Sequence, residues 1–318
     1  MKSLFIDANI FLNFYKYSKS DLNALQKVVE GMKKNHFDII INQHLKDEFY
    51  RNRGARIKES IIAFKSINLG EIPTLFKNEE LNYKELIKAK KNFEKIHHEL
   101  LSKIEQLALE ENLLADQLIN EIFDSVKFNK IDKTIYANAI LRMRRKNPPS
   151  KPNELGDCLH WEYFIATIKK GVDLIIVSED GDFQDKLKPR ANTFLQKEWT
   201  SKKSANLVWF SNLNDFFKEY LPQFQLQDQK KSLIDNLVLS LKNSQSFSET
   251  HSILQEVEQY ISDFDLGNLN DIVDAYENNE QISWILEDGD VLEFINKIYS
   301  HPLSDESIKR RISQILPE

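Results

Sequence analysis

Four short runs of β-branched and aromatic residues punctuate the chain: KSLFI at 2–6, FDIII at 37–41, DLIIV at 173–177 and NLVWF at 206–210. Short apolar runs of this kind predict buried strands. The segments between them carry a different period. After Ser20, Leu22, Leu25, Val28, Val29 and Met32 recur at helical spacing, and the predicted helix ends before Asn35. A second helix is expected from about Gln43. Cys158, Trp161, Ile165 and Ile168 form a third apolar stripe, with Asp157 at its start and Gly171 just past its end. Strands alternating with helices predict an α/β fold built on a parallel sheet.

Residues 55–147, between the second and third strands, form a polar tract much longer than one crossover needs. The spacing of Leu86, Phe93, Ile96, Leu100, Ile104 and Leu107 predicts a helical insertion, arranged as a hairpin on the sheet domain. PPSKP at 148–152 ends it, because adjacent prolines cannot continue a helix. LNDFFKEYLPQF reads as the closing helix of the first domain, and QLQDQKK as a polar linker. Apolar clusters at Leu233, Leu237, Val238 and Leu241, and at Val291, Phe294, Ile295 and Ile298, predict an all-helical second domain. The expected division is 1–227 and 228–318.

Composition narrows the class. With 318 residues and 41% hydrophobic content, two domains can each bury a core. Eight Gly, eight Pro and a single Cys exclude collagen-like, low-complexity and disulfide-stapled chains. The lone Cys158 points to a reducing compartment. No apolar run approaches a membrane span, and Asp7 falls where a signal peptide needs apolar residues, so a cytoplasmic protein without membrane association is expected. Charge is unevenly placed: residues 228–318 hold 18 acidic and 7 basic side chains, the remainder 31 and 36.

A parallel sheet with helical crossovers gathers helix N-termini along the carboxyl edge of its strands. Asp7 follows the first strand, Glu48 lies early in the helix after the second, Asp157 opens the helix before the third, and Asp180 follows the third strand. All four converge on that edge, with Asp182 and Glu162 within reach. Each alone has an ordinary role: a helix cap for Asp7 or Asp157, a turn for Asp180, a solvated helix residue for Glu48. Together, clustered carboxylates repel and raise one another's pKa, and a divalent cation relieves that repulsion. Oxygen-only ligands favour one or two Mg²⁺ or Mn²⁺ ions. Zinc is disfavoured: Cys158 stands alone and no HExxH occurs. His97 and His98 point apart on a helix, and Cys158 and His160 do not face each other. No GxxxxGK[ST] or GxGxxG loop is present.

FIDANIFL at the N-terminus, the glutamate of HLKDEF, GDCLHWE in the middle and VSEDGDF after an apolar strand resemble the four acidic motifs of PIN-domain nucleases, in particular larger bacterial PIN-like proteins. The resemblance spans roughly residues 1–222, with about 30 residues carrying the motifs. It implies a three-layer fold around a central parallel sheet, here with a long helical insertion and a C-terminal all-helical domain. It makes Asp7, Glu48, Asp157 and Asp180 the catalytic and metal-binding set, with Asp182 as a further ligand. Glu162 is a supporting acid, Asn9 matches the position that orients the first aspartate, and Ser178 matches the hydroxyl before the last acid. Asp47 faces elsewhere, so Glu48 is preferred. The compact PIN toxins lack both the long insertion and the acidic rear domain.

The implied reaction is metal-dependent phosphodiester hydrolysis leaving 3′-hydroxyl and 5′-phosphate ends. An RNA endonuclease of toxin or defence type is the expectation. The alternatives are a DNA nuclease acting on single strands or flaps, and a non-catalytic binding module. A haloacid-dehalogenase-like phosphatase would need a second aspartate where Asn9 stands. Residues 125–151 hold eight Lys/Arg against one Asp. Of these, Arg142, Arg144, Arg145 and Lys146 are expected to follow a nucleic-acid backbone, with Tyr136 and Phe128 stacking on bases. The acidic 228–318 region is expected to regulate, bind a protein partner or self-associate.

Overall fold

A computed structural model describes residues 2–16, 22–72, 80–126 and 130–316. It forms two compact units, Met1–Glu219 and Tyr220–Glu318.

The first unit is organised by a parallel sheet of four strands, β1 (Lys2–Ile6), β2 (Asp38–Ile40), β3 (Asp173–Val177) and β4 (Leu207–Phe210), in the order β2-β1-β3-β4. Each strand falls within an apolar run predicted above; β2 and β4 are shorter than the runs that contain them. The central pair is in register from Lys2 opposite Asp173 to Ile6 opposite Val177. Its residues from Leu4 to Ile6 and from Leu174 to Val177 are essentially inaccessible, which is why these strands are continuously apolar rather than alternating.

Helices α1 (Ala8–Asn13) and α2 (Asn23–Lys33) lie between β1 and β2, and α3 (Gln43–Lys65) follows β2. Then come α4 (Glu80–Leu109), α5 (Leu114–Ser125), α6 (Lys133–Arg144) and α7 (Gly156–Thr167), which leads into β3. α8 (Thr193–Lys203) joins β3 to β4, and α9 (Leu213–Tyr220) closes the unit. Phe5 of β1 packs at a tilt against His160 and Phe164 of α7, at centroid distances of 4.9 and 4.8 Å, seating that helix on the sheet. Gly171 sits at φ 81° between α7 and β3, a left-handed turn that a side chain would strain.

The insertion is helical, but its packing differs from the predicted stripe. Leu86, Ile96 and Leu100 of α4 are exposed, whereas Leu101 is buried. α4 is held near its middle instead: His97 Nε2 donates to the Phe64 carbonyl at 2.9 Å and its ring packs against Phe64 and Phe93. A buried polar network ties α3 to α5. Arg53 Nε and Nη2 donate to both oxygens of Asp116 at 2.7 and 2.6 Å, and the Tyr15 hydroxyl donates to the same carboxylate at 2.5 Å. Removing one member of such a pair costs about 3–5 kcal/mol, because the other charge is left unpaired.

The second unit is all-helical: α10 (Gln223–Lys242), α11 (Phe247–Glu258), α12 (Leu266–Asn278), α13 (Glu280–Trp284), α14 (Gly289–Tyr299) and α15 (Glu306–Ile315). Leu237, Val238, Leu241, Val291, Phe294, Ile295 and Ile298 are in its core as the pattern predicts, but Leu233 is exposed and Ile234 takes the inward position. QLQDQKK, read above as a polar linker, is helical, within α10. Several acids of this unit are paired internally, as Asp274 and Glu277 are with Arg311 at 2.5 and 2.6 Å.

Candidate metal centre

The register of β1 and β3 places two predicted residues side by side at the carboxyl edge. The Asp7 N–H donates to the Val177 carbonyl at 3.0 Å, extending that ladder by one residue, and the Ser178 N–H donates to Phe210 at 3.0 Å. Asp7 caps α1, its Oδ1 accepting from the Ala8 N–H at 2.7 Å, while Oδ2 accepts from the Ser178 hydroxyl at 2.6 Å. The Ser178 oxygen in turn accepts from the Asp180 N–H at 3.0 Å, tying the loop after β3 to the first acid. Asn9 does not orient Asp7: no hydrogen bond joins them, and Asn9 Oδ1 is buried without a partner. The tighter link through Ser178 takes that role.

Carboxylate oxygens of Asp157, Asp180 and Asp182 lie within 4.8 Å of one another. Asp157 comes from the first turn of α7, the other two from the loop after β3. Burial pushes the Asp7 carboxyl from 3.8 up to about 7, and repulsion from Glu48 and Asp180 adds to it. Asp157 is raised by burial and then by Asp7, with Asp180 and Asp182 adding to the repulsion. Glu48 rises chiefly through burial, with Asp180 contributing. Neighbouring Asp47 is exposed and bonded to Gln43 at 2.7 Å, away from this group.

Lys151 and His44 escaped the sequence reading, and His160 was weighed there only as a partner of Cys158. Lys151, from the PPSKP segment, places Nζ 2.6 Å from Asp182, 3.1 Å from Asp180 and 3.5 Å from Asp157. Its sequence signal was a lysine six residues before a motif acid, next to prolines that fix the local chain. His44 and His160 form, with Glu48, a second cluster within 4.8 Å. Asn42 Oδ1 caps α3 by accepting from Leu45 N–H at 2.9 Å, so its amide nitrogen faces His160 Nδ1 at 2.9 Å. His160 Nδ1 is therefore an acceptor and Nε2 carries the proton. Complete burial drops the His160 pKa to about 3, holding the ring neutral, and its Nε2 has no hydrogen-bond partner. With its lone pair engaged by Asn42, His160 is a support rather than a metal ligand. A Cβ at Gly156 would stand 2.7 Å from His44 Nε2, so a larger residue there would push the imidazole aside, and His44 lies 3.8 Å from Glu48.

The basic stretch divides. Arg142 is buried and spent: it donates to Glu162 at 2.6 Å, to both oxygens of Glu198 at 2.6 and 2.8 Å, and to the Pro148 carbonyl at 2.7 Å. This corrects two expectations. Arg142 is not a backbone-tracking cation, and Glu162 is its buried partner. Together with Trp161, which donates to Glu198 at 2.9 Å, they lock α6, α7 and α8 and pin the loop that carries Lys151. Arg144, Arg145 and Lys146 are exposed, as is Tyr136. Phe128 lies outside the described residues.

The residues present fit a hard divalent cation. In the cluster of Asp157, Asp180 and Asp182 the donors are oxygens only, and burial together with repulsion from neighbouring acids raises the carboxyls of Asp7, Glu48 and Asp157, which a positive charge relieves. Among the described residues, no helix is long and apolar enough to cross a membrane. No curated protein and no solved structure matches the chain. A family model described as a PIN domain matches residues 4–183, a span that holds every acid of the site. The chain belongs to the PIN-domain family.

Proposed function

We propose that this chain is a metal-dependent nuclease whose acids Asp7, Glu48, Asp157 and Asp180, with Asp182, hold one or two Mg²⁺ or Mn²⁺ ions at the carboxyl edge of the sheet. PIN domains are typically metal-dependent nucleases. The observation that carries the reading is the convergence of Asp157, Asp180 and Asp182 within 4.8 Å, beside an Asp7 whose carboxyl is raised by burial to about 7. Bound there, a divalent ion supplies an acidified water and charge neutralisation at a phosphate. The protein's part is placement. Ser178 holds Asp7 and the Asp180 loop in one hydrogen-bonded chain. Asp157 is presented by the first turn of α7, and Glu48 by a helix whose start is fixed by Asn42. Arg144, Arg145 and Lys146 offer exposed charge to a nucleic-acid backbone.

RNA is the favoured substrate, cut internally, in a toxin-like or defence role. The nuclease function is assigned to the first domain, 1–227, and regulation, protein binding or self-association to the acidic helices of 228–318. Incubating the full chain with labelled single- and double-stranded RNA and DNA, in Mg²⁺, Mn²⁺ or EDTA, tests this reading. Metal-dependent internal cleavage of single-stranded RNA is expected. Cleavage of DNA alone would move the assignment to single strands or flaps of DNA. No cleavage of any substrate with either metal would overturn it in favour of a binding module.

A further inference from the structure

The three carboxylates that converge for a metal already hold a cation of the chain's own. Lys151 Nζ is within 2.6–3.5 Å of Asp182, Asp180 and Asp157, and its remaining ion pair, with Glu154, is longer at 3.9 Å. The backbone beneath it is fixed: Arg142 grips the Pro148 carbonyl, and Lys151 and Glu154 bridge across a tight turn. The side chain above it is a four-carbon stem that reaches the acids from a partly exposed position, 29% accessible. An ammonium and a hard divalent ion, which needs carboxylate oxygens at about 2.0–2.1 Å, compete for the same oxygens and repel each other at that range.

We propose that Lys151 is the resident cation of the acid cluster, that a divalent ion displaces it, and that the freed ammonium then engages a phosphate of the substrate. This rests on the metal-dependent reading above. It gives the metal-free protein a reason to stay folded with its acids together, and it makes metal loading a step that exposes a phosphate-binding group. The direction of release follows from the surroundings. Arg144, Lys146 and Ser150 line one groove with Lys151, so a lysine leaving the acids joins the exposed basic strip rather than an apolar surface.

The test uses the full chain and Mn²⁺, followed by calorimetric titration without nucleic acid. Lys151→Gln should bind Mn²⁺ about thirtyfold more tightly than the native chain, the order expected on removing a unit charge some 4 Å from a divalent ion in near-aqueous surroundings. Its metal-free melting temperature should fall, whereas Lys151→Arg should keep both native values. On the unaltered chain, acylation of lysines read by mass spectrometry should show Lys151 labelled faster once Mn²⁺ is added, a readout that does not depend on the variants folding. With Ca²⁺ and a phosphorothioate single strand, Lys151→Gln should lower the log–log salt slope of binding by about 0.7. Equal or weaker Mn²⁺ affinity in Lys151→Gln, or unchanged labelling of Lys151, overturns the exchange, and an unchanged slope overturns the phosphate role. If neither chain binds Mn²⁺, the metal-dependent reading falls with it. Equal binding by both removes the exchange alone.

Discussion

Asp7→Asn isolates the charge over which folding and metal binding compete. Asp7 is 4% exposed, and its carboxyl rises from 3.8 to about 7 in the folded chain. A folded pKa above the unfolded one means that ionisation opposes folding. The contribution is fully favourable below pH 4, declines as the pH climbs to about 7, and is constant beyond. At about 1.4 kcal/mol per pH unit, metal-free protein forfeits ~2 kcal/mol at pH 5 and ~4 kcal/mol at pH 8. Asparagine keeps the side-chain volume and an acceptor for the Ala8 N–H, and its amide can donate to the Ser178 oxygen. Allowing for imperfect replacement of those bonds, metal-free Asp7→Asn should gain ~1–3 kcal/mol at pH 8 and less at pH 5. For a domain of this size that is about 2–12 °C in melting temperature. Metal-dependent cleavage should be abolished in the same variant. Calorimetric melts in EDTA at pH 5, 6.5 and 8, beside a cleavage assay in Mn²⁺, measure both. A variant that is destabilised at pH 8, or whose gain does not grow with pH, would refute the assignment of strain to this carboxylate. Native-rate cleavage would refute its role.

The divided basic stretch predicts opposite behaviour from neighbouring residues. Arg142→Gln should destabilise by about 3–5 kcal/mol, because Glu162 and Glu198 are left with unpaired charge, as a denaturant melt would show. Arg144→Gln with Arg145→Gln and Lys146→Gln should leave stability within about 0.5 kcal/mol and flatten the salt slope of single-strand binding by about 0.7 per lost contact; an unchanged slope assigns these cations to ordinary surface. Gly156→Ala should displace His44, whose Nε2 stands 2.7 Å from where the new Cβ would lie, lowering stability by about 1 kcal/mol and weakening Mn²⁺ binding. Native Mn²⁺ affinity in that variant would show that His44 does not support Glu48. A chain ending at Pro222 should melt cooperatively and still cleave in Mn²⁺. If it folds and binds metal but cannot cleave, the acidic helices supply part of the substrate path.

The strands were legible, and so was the place of the acids that flank them, because both rest on local pattern. A continuous apolar run must be buried, and an acid one residue past it, as Asp7 is past Ile6, must lie at the strand's end. What the pattern does not encode is the choice of partner. Arg142 looked like its neighbours Arg144 and Arg145, since nothing local marks the one arginine whose helix position faces Glu162 and Glu198, residues 20 and 56 positions away. Glu162 was misread for the same reason. Asn9 was expected to orient Asp7 and Ser178 only to precede the last acid; the sheet register, a long-range property, puts the Ser178 hydroxyl on Asp7. In α4 the apolar spacing was real, but it did not tell which of those positions would be covered: Leu86, Ile96 and Leu100 are exposed and Leu101 is buried. Lys151 was hidden because PPSKP announces only where a helix must stop.

The most direct measurement of the central claim is anomalous diffraction from a crystal of the full chain soaked in Mn²⁺. A peak is expected about 2.1 Å from carboxylate oxygens of Asp157 and Asp180, lost in Asp180→Asn. A well-ordered site with no peak at millimolar Mn²⁺, or a peak held by other residues, would contradict that claim.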